Sequence, residues 1–133
     1  MNEMMKTMEA AASGMRAQGA RMRLSSENIA NVDTPGYRRK TVTFEETFNS
    51  TRDARAVKTG AVNLDLSELP RIYEPSNPMA GADGYYLGSN VDLMIEIADA
   101  REANRSYEAN LKMFDQARQM SRGLLDLLGG CVE

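Results

Sequence analysis

The chain has 133 residues, 16 basic and 19 acidic side chains, a formal net charge of −3 and no histidine. Without histidine there can be no histidine-based catalytic triad, general base or metal ligand. With three Phe, five Tyr and no Trp, a single domain of this length is short of aromatic mass, so its own core is expected to be thin and its stability to depend on burial against partners.

The one cysteine, Cys131, follows Gly129-Gly130 and excludes an intramolecular disulfide; it reads as a bystander thiol. No apolar run approaches the roughly 20 residues needed to span a bilayer, and the N-terminus lacks the basic and apolar regions of a cleaved secretory signal. Charge is uneven, with seven basic and four acidic side chains in residues 1–40 and nine basic and fifteen acidic in residues 41–133, or +3 against −6. Opposite signs favour association of the two terminal segments, within about 8 Å at physiological salt.

The first element is a helix expected from about Asn2 to Asn31. Counting back by sevens from Ile29 meets Met22, Met15, Met8 and Met1, with Met4, Ala11, Gln18, Ser25 and Val32 at the alternate positions, which is a heptad seam. Methionine makes such a seam adaptable, suited to packing against several neighbours, and alone the helix would be marginal in water. Gly14 and Gly19 each lower helicity by roughly 1 kcal/mol relative to alanine, and either permits close approach of another helix.

The helix runs into Asn28–Lys40, NIANVDTPGYRRK. Pro35-Gly36 predicts a type II turn, proline presetting the first central φ and glycine supplying positive φ at the second; Tyr37 then leaves at a fixed angle. Tyr37 to Thr43 alternates as a short extended stretch. Phe44 and Phe48, four apart, would share one side of a helical turn. Asn49 to Lys58 (NSTRDARAVK) is polar and reads as a mobile loop.

Ala61 to Leu69 alternates apolar and polar residues as a half-buried strand, to which Arg71–Tyr73 is expected to pair across Pro70 as a hairpin. Pro75, Asn77, Pro78, Gly81, Asp83 and Gly84 form a turn-rich connector, and Tyr85-Tyr86-Leu87 a last extended piece. A second helix begins near Asn90 or Asp92, both good N-caps, and runs to about Leu128 before Gly129-Gly130. Its apolar stripe includes Leu93, Ile97, Ala100, Tyr107, Leu111, Phe114, Ala117, Met120, Leu124, Leu125, Leu127 and Leu128 and widens toward the end, so the last turns are expected to be the most buried.

These elements imply a mainly α single domain: a helix and turn over 1–34, an extended, hairpin and loop segment over 35–89, and a helix over 90–130. The two helices are expected to pack as an antiparallel coiled-coil-like pair with the irregular middle folded over one end. Arg38-Arg39-Lys40 has no interleaved aromatics and sits on an acidic chain, so it does not make a nucleic-acid surface. Carboxylate pairs such as Glu45-Glu46 and Asp99 with Glu102 read as solvated surface, and Glu108 with Lys112 as a helical ion pair. Asn28, Asn31, Asn104 and Asn110, amides within or at the ends of apolar helices, read either as an exposed helix face or as groups that fix register between neighbouring helices.

Ser13-Gly14-Met15, Gln18 and NIANVDTPGY at Asn28–Tyr37 resemble the N-terminal signature of bacterial flagellar rod proteins. YEPSNP at Tyr73–Pro78, DGY at Asp83–Tyr85, NVD at Asn90–Asp92 and RSYEANL at Arg105–Leu111 are similar to the proximal-rod branch of that family, so the likeness spans nearly the whole chain. The resemblance implies a non-enzymatic structural subunit of the basal body, exported through the flagellar type III apparatus without a cleaved signal. It implies assembly with other copies of itself and other rod proteins, and no cofactor, metal, nucleic acid, small-molecule substrate or membrane span.

On that reading the assembly residues are Met8, Met15, Met22, Asn28, Ile29, Asn31, Asn110, Leu111, Phe114, Leu124 and Leu128. Pro35, Gly36 and Tyr37 set the exit from the turn, and Phe44 with Phe48 would be read by the export gate. The rival readings are a sibling axial subunit, which the YEPSNP-to-DGY segment disfavours, and a helical adaptor or export chaperone that never polymerises. An enzyme is weaker still, with no residue to nominate.

Overall fold

The computed structural model describes residues 3–49 and 54–130. Six elements follow in chain order: α1 (Glu3–Ala30), β1 (Lys40–Asn49), β2 (Ala54–Leu64), β3 (Arg71–Tyr73), β4 (Tyr85–Leu87) and α2 (Leu93–Gly130). The chain is mainly α, as expected, with two antiparallel hairpins between the helices.

Local chemistry ends α1 where the sequence places the stop. The Tyr37 amide donates to the Thr34 carbonyl at 3.2 Å across Pro35-Gly36, and Gly36 has φ +75°, the left-handed value that the second central position of a type II turn requires. The Gly36 amide then donates to the Leu87 carbonyl at 3.0 Å, tying the turn to β4. At the other helix Asp92 is the N-cap: its Oδ1 accepts the amides of Met94 at 3.0 Å and Ile95 at 3.4 Å. Asn90 does not cap α2. Its side chain instead accepts the Arg39 amide at 2.6 Å and donates to the Asp65 carbonyl at 2.9 Å, bracing two strand ends.

The helices run antiparallel, with Gly14 against Asn110, Arg21 against Asp99 and Glu102, and Glu3, Met4 and Thr7 sharing a groove with Gln116, Ala117 and Met120. The face of α1 turned to α2 therefore steps by sevens through Thr7, Gly14 and Arg21. Met8, Met15 and Met22 lie one residue on, about 100° round the helix, and are half-buried along its flank. The reason is steric. The buried apolar residues are Ala11, Ala17, Ala54, Leu69, Ala103 and Ala117, and helices that meet through alanine and glycine approach more closely than a methionine seam would allow. The core is correspondingly thin, and the largest fully buried side chains are Glu96, Asn28 and Ser13.

Several strand expectations are corrected. Residues 54–58, read as loop, belong to β2, which pairs with β1 from Asn49↔Ala54 to Lys40↔Leu64, with a register shift between Val42 and Phe44; residues 50–53 lie outside those described. The backbone ladder, rather than alternating hydrophobicity, holds this polar stretch, and Ser13 of α1 anchors it by accepting the Val57 amide at 3.0 Å. Phe44 and Phe48 sit in β1, not on a helical turn, yet share one face because four is an even number of strand residues. The expected strand over 61–69 ends at Leu64, where Asp65 Oδ1 accepts the Ser67 amide at 2.9 Å, an Asx turn. β3 pairs with β4, in the register Arg71↔Leu87 to Tyr73↔Tyr85, rather than with β2.

The largest correction concerns the end of α2. Leu124, Leu125, Leu127 and Leu128 are exposed, at 47% to 70%, not the most buried. α2 has 38 residues and α1 has 28, so at 1.5 Å per residue α2 is about 15 Å longer. Since Glu3 lies beside Gln116 and Met120, the residues from Ser121 onward run past the described start of α1.

Candidate assembly surfaces

Three regions present chemistry for assembly: the junction below the turn, the overhang of α2 and the hairpin. The junction is polar and closed. Asn28 is 1% exposed, and its amide donates to the Lys40 carbonyl at 2.9 Å while its oxygen accepts from the Lys40 amide at 3.0 Å and the Tyr37 hydroxyl at 2.9 Å. A helix residue thus acts as a strand partner for the first residue of β1. Lys40 Nζ returns to Glu27, and that hydrogen bond holds the ammonium above its ordinary pKa. Burial, and then the Glu27 charge, push the Tyr37 phenol up as well.

Beside it, Arg39 reaches α2. Its Nε donates to Glu96 and its Nη2 to Asp99 Oδ2 at 2.7 Å, while Arg21 Nη2 meets Asp99 Oδ1 and Glu102 Oε2, both at 3.3 Å. Glu96 is 1% exposed, a depth at which a carboxylate requires a partner. Burial opposes the charge on Arg39, but the Glu96 hydrogen bond and the fields of Glu96 and Asp99 outweigh it and raise the guanidinium pKa. Three carboxylates and two guanidinium groups from α1, the β1 entry and α2 thereby clamp the turn onto the helix pair. From the sequence Arg39 reads only as part of a basic run, Glu96 and Asp99 as charge at the start of the second helix and Asp99 with Glu102 as solvated surface; their pairing across the fold is not written in any local pattern.

Of the residues expected at subunit interfaces, the structure divides the set. Asn28 is committed within the chain, and its burial removes it from a neighbour's reach. Asn31 donates to the Glu27 carbonyl at 2.9 Å and accepts from Thr34 at 3.0 Å, closing the end of α1. Asn110 donates to the Ser106 carbonyl at 3.0 Å and lies against Gly14, so it belongs to the contact between α1 and α2 of one chain. Met8, Met15, Met22, Ile29 and Phe114 are half-buried, Leu111 is 40% exposed, and Leu124 and Leu128 are open to solvent. Pro35 and Tyr37 are half-buried and Gly36 exposed at the turn.

The hairpin adds Phe44, Phe48, Val57, Val62 and Leu64 to the exposed apolar surface. A monomer that leaves so many large apolar side chains uncovered, while its interior is filled by alanine, is built to be covered by something else. Among the described residues no helix is long and apolar enough to cross a membrane, and no cluster of acidic or sulfur side chains is arranged to hold a metal ion.

Comparison with known proteins agrees with this geometry. Residues 8–38 match the family model described as flagella basal body rod protein, and residues 82–127 match that described as flagellar basal body rod FlgEFG protein C-terminal. These two segments cover the turn with most of α1 and nearly all of α2. The chain is 43% identical over 125 residues to the flagellar basal-body rod protein FlgC of Agrobacterium fabrum, covering 89% of this chain and 90% of the relative. It is 32% identical to FlgC of Salmonella typhimurium over 123 residues (88% and 92%), and 31% identical to FlgC of Bacillus subtilis over 143 residues (91% and 95%).

Proposed function

Because the chain belongs to the family of flagellar basal-body rod proteins FlgC and is a structural subunit of that rod, we infer that it polymerises through its terminal helices, bundling with those of adjacent subunits to transmit torque from motor to hook. The observation that carries this reading is the overhang: a turn-after-turn apolar end of α2, with Leu124, Leu125, Leu127 and Leu128 exposed, which α1 of the same chain does not reach. Covering it would remove apolar surface from water at about 25 cal/mol per Å², a gain available only in the assembly. Met8, Met15, Met22 and Ile29 along the α1 flank, with Leu111 and Phe114, supply the rest of the interface.

The chain reaches the periplasmic rod through the flagellar type III export apparatus, and Phe44 with Phe48 is the pair read at its gate. Both rings are exposed on one face of β1, Phe44 at 39% and Phe48 at 60%, which leaves part of each open to a separate duty.

The test is circular dichroism with co-sedimentation, comparing wild type and Leu124→Asp, each alone and mixed with purified rod proteins or basal-body fractions. The wild type should gain order and co-sediment, and the variant should match its helicity alone but fail to co-sediment. A stable helical monomer indifferent to those partners would instead indicate an adaptor.

A further inference from the structure

The outer face of α1 carries Arg16 and Arg23, both exposed and neither in an ion pair among the described residues. Between them Gly19 and Ala20 leave a shallow trough, bordered by Thr59 of the hairpin, and a side chain begun at Gly19 would meet nothing within 4 Å. On the outer flank of α2, Glu108, Leu111 and Asp115 repeat the same spacing with opposite charge at its two ends, the exposed Lys112 lying beside Leu111. Glu108 is exposed, Leu111 is 40% exposed, and Asp115 pairs with Arg118 at 3.3 Å, both side chains about half exposed. Within one chain these stripes cannot meet, because α1 and α2 already face each other through Gly14 and Asn110.

We propose that the two stripes are the halves of one contact between copies of this chain: Glu108, Leu111 and Asp115 of one copy seat on Arg16, Gly19, Ala20 and Arg23 of the next. Each charged pair is separated by seven residues, a rise of about 10.5 Å on either helix, so both ion pairs form at once. Leu111 enters the gap at Gly19, a knob in a hole. The two halves are different surfaces, so the contact is heterologous and leaves one half free at each end, which extends into an open array rather than a closed dimer. The rim charges set register and exclude wrong partners more than they add affinity. The proposal rests on the reading that the chain polymerises with copies of itself.

The experiment uses the full chain in a flagellated host lacking its own copy, with basal bodies purified and assayed for the protein. Gly19→Leu raises helix propensity and meets nothing within the chain, so its helicity alone should equal or exceed wild type while incorporation falls by about tenfold. Glu108→Arg with Asp115→Arg should fall likewise, and adding Arg16→Glu with Arg23→Glu in the same chain should restore incorporation. In a Cys131→Ser background, Gly19→Cys combined with Leu111→Cys should give disulfide-linked oligomers on mild oxidation of the basal bodies. Wild-type incorporation of Gly19→Leu, or incorporated cysteine variants that do not cross-link, would overturn the contact while leaving the rod assignment standing. A wild-type chain absent from basal bodies would overturn both.

Discussion

The Tyr37 hydroxyl donates to Asn28 Oδ1 at 2.9 Å, and the same oxygen accepts the Lys40 amide at 3.0 Å, so one helix amide fixes both the residue that leaves the turn and the residue that begins β1. Asn28→Leu keeps the volume and removes the partners of Tyr37 and of the Lys40 backbone. Leaving buried donors and acceptors unpaired costs about 1–3 kcal/mol each when water cannot reach them. Urea unfolding followed by the helical signal should show a loss of about 2–4 kcal/mol, against a much smaller effect for Tyr37→Phe, which removes one of the three bonds.

A second constraint is steric. A Cβ placed on Gly14 would lie 2.8 Å from the Asn110 amide, too close without movement of that side chain or of α2. Gly14→Val should cost about 1–3 kcal/mol, the usual range for overpacking, although valine is the better helix former. Asn110→Ala in the same chain should return much of it, and a double-mutant cycle with a coupling above about 0.5 kcal/mol would confirm that the two positions share one contact.

How far the fold was legible follows from where each instruction resides. The Pro35-Gly36 turn and the Asp92 cap are written in adjacent residues, and both appear as read. Of the α1 seam, Ala11 and Ser25 are buried while Met8, Met15 and Met22 are half-buried, because apolarity marks what wants to be buried, whereas Gly14 decides how near α2 can come. Residues 54–58 carry no apolar alternation, since β2 there is held by backbone pairing and by Ser13, forty-four residues away in sequence from its partner Val57. Nothing local announces that Arg39 meets Glu96 across fifty-seven positions. The exposed end of α2 was expected to be buried because one chain's sequence shows an apolar stripe without showing whose helix covers it.

The Arg39 and Glu96 pair yields a prediction with a reversal. Arg39→Met leaves Glu96 as a buried carboxylate without its guanidinium, and breaking such a pair costs about 3–5 kcal/mol. Combining it with Glu96→Leu removes the stranded charge and should recover most of the loss, as replacement of a buried pair by apolar residues is often neutral. Thermal unfolding of the two single variants and the double variant decides the matter. A double variant no more stable than Arg39→Met would show that Asp99, which also binds Arg39 at 2.7 Å, is the more important anchor.

The same junction contributes to the alkaline limit of the fold. With no histidine, no imidazole titrates between pH 5 and 8. The Tyr37 phenol is raised above 10.0 by burial and by the Glu27 charge, and the Lys40 ammonium above 10.5 by its hydrogen bond to Glu27. For a group whose folded pKa is raised, its contribution is complete below the unfolded pKa and lost as pH rises through the folded one. Stability should therefore stay level on account of these groups up to about pH 10 and fall above it. In Tyr37→Phe the phenol's share of that slope disappears, so the variant, weaker at neutral pH, should lose less on going to high pH than the wild type. Urea midpoints at a series of pH values, with phenolate absorbance followed in parallel, test this. An equal alkaline slope in wild type and variant would assign the loss to the other raised groups, Lys40 beside Glu27 and the Tyr86 phenol, which burial pushes up.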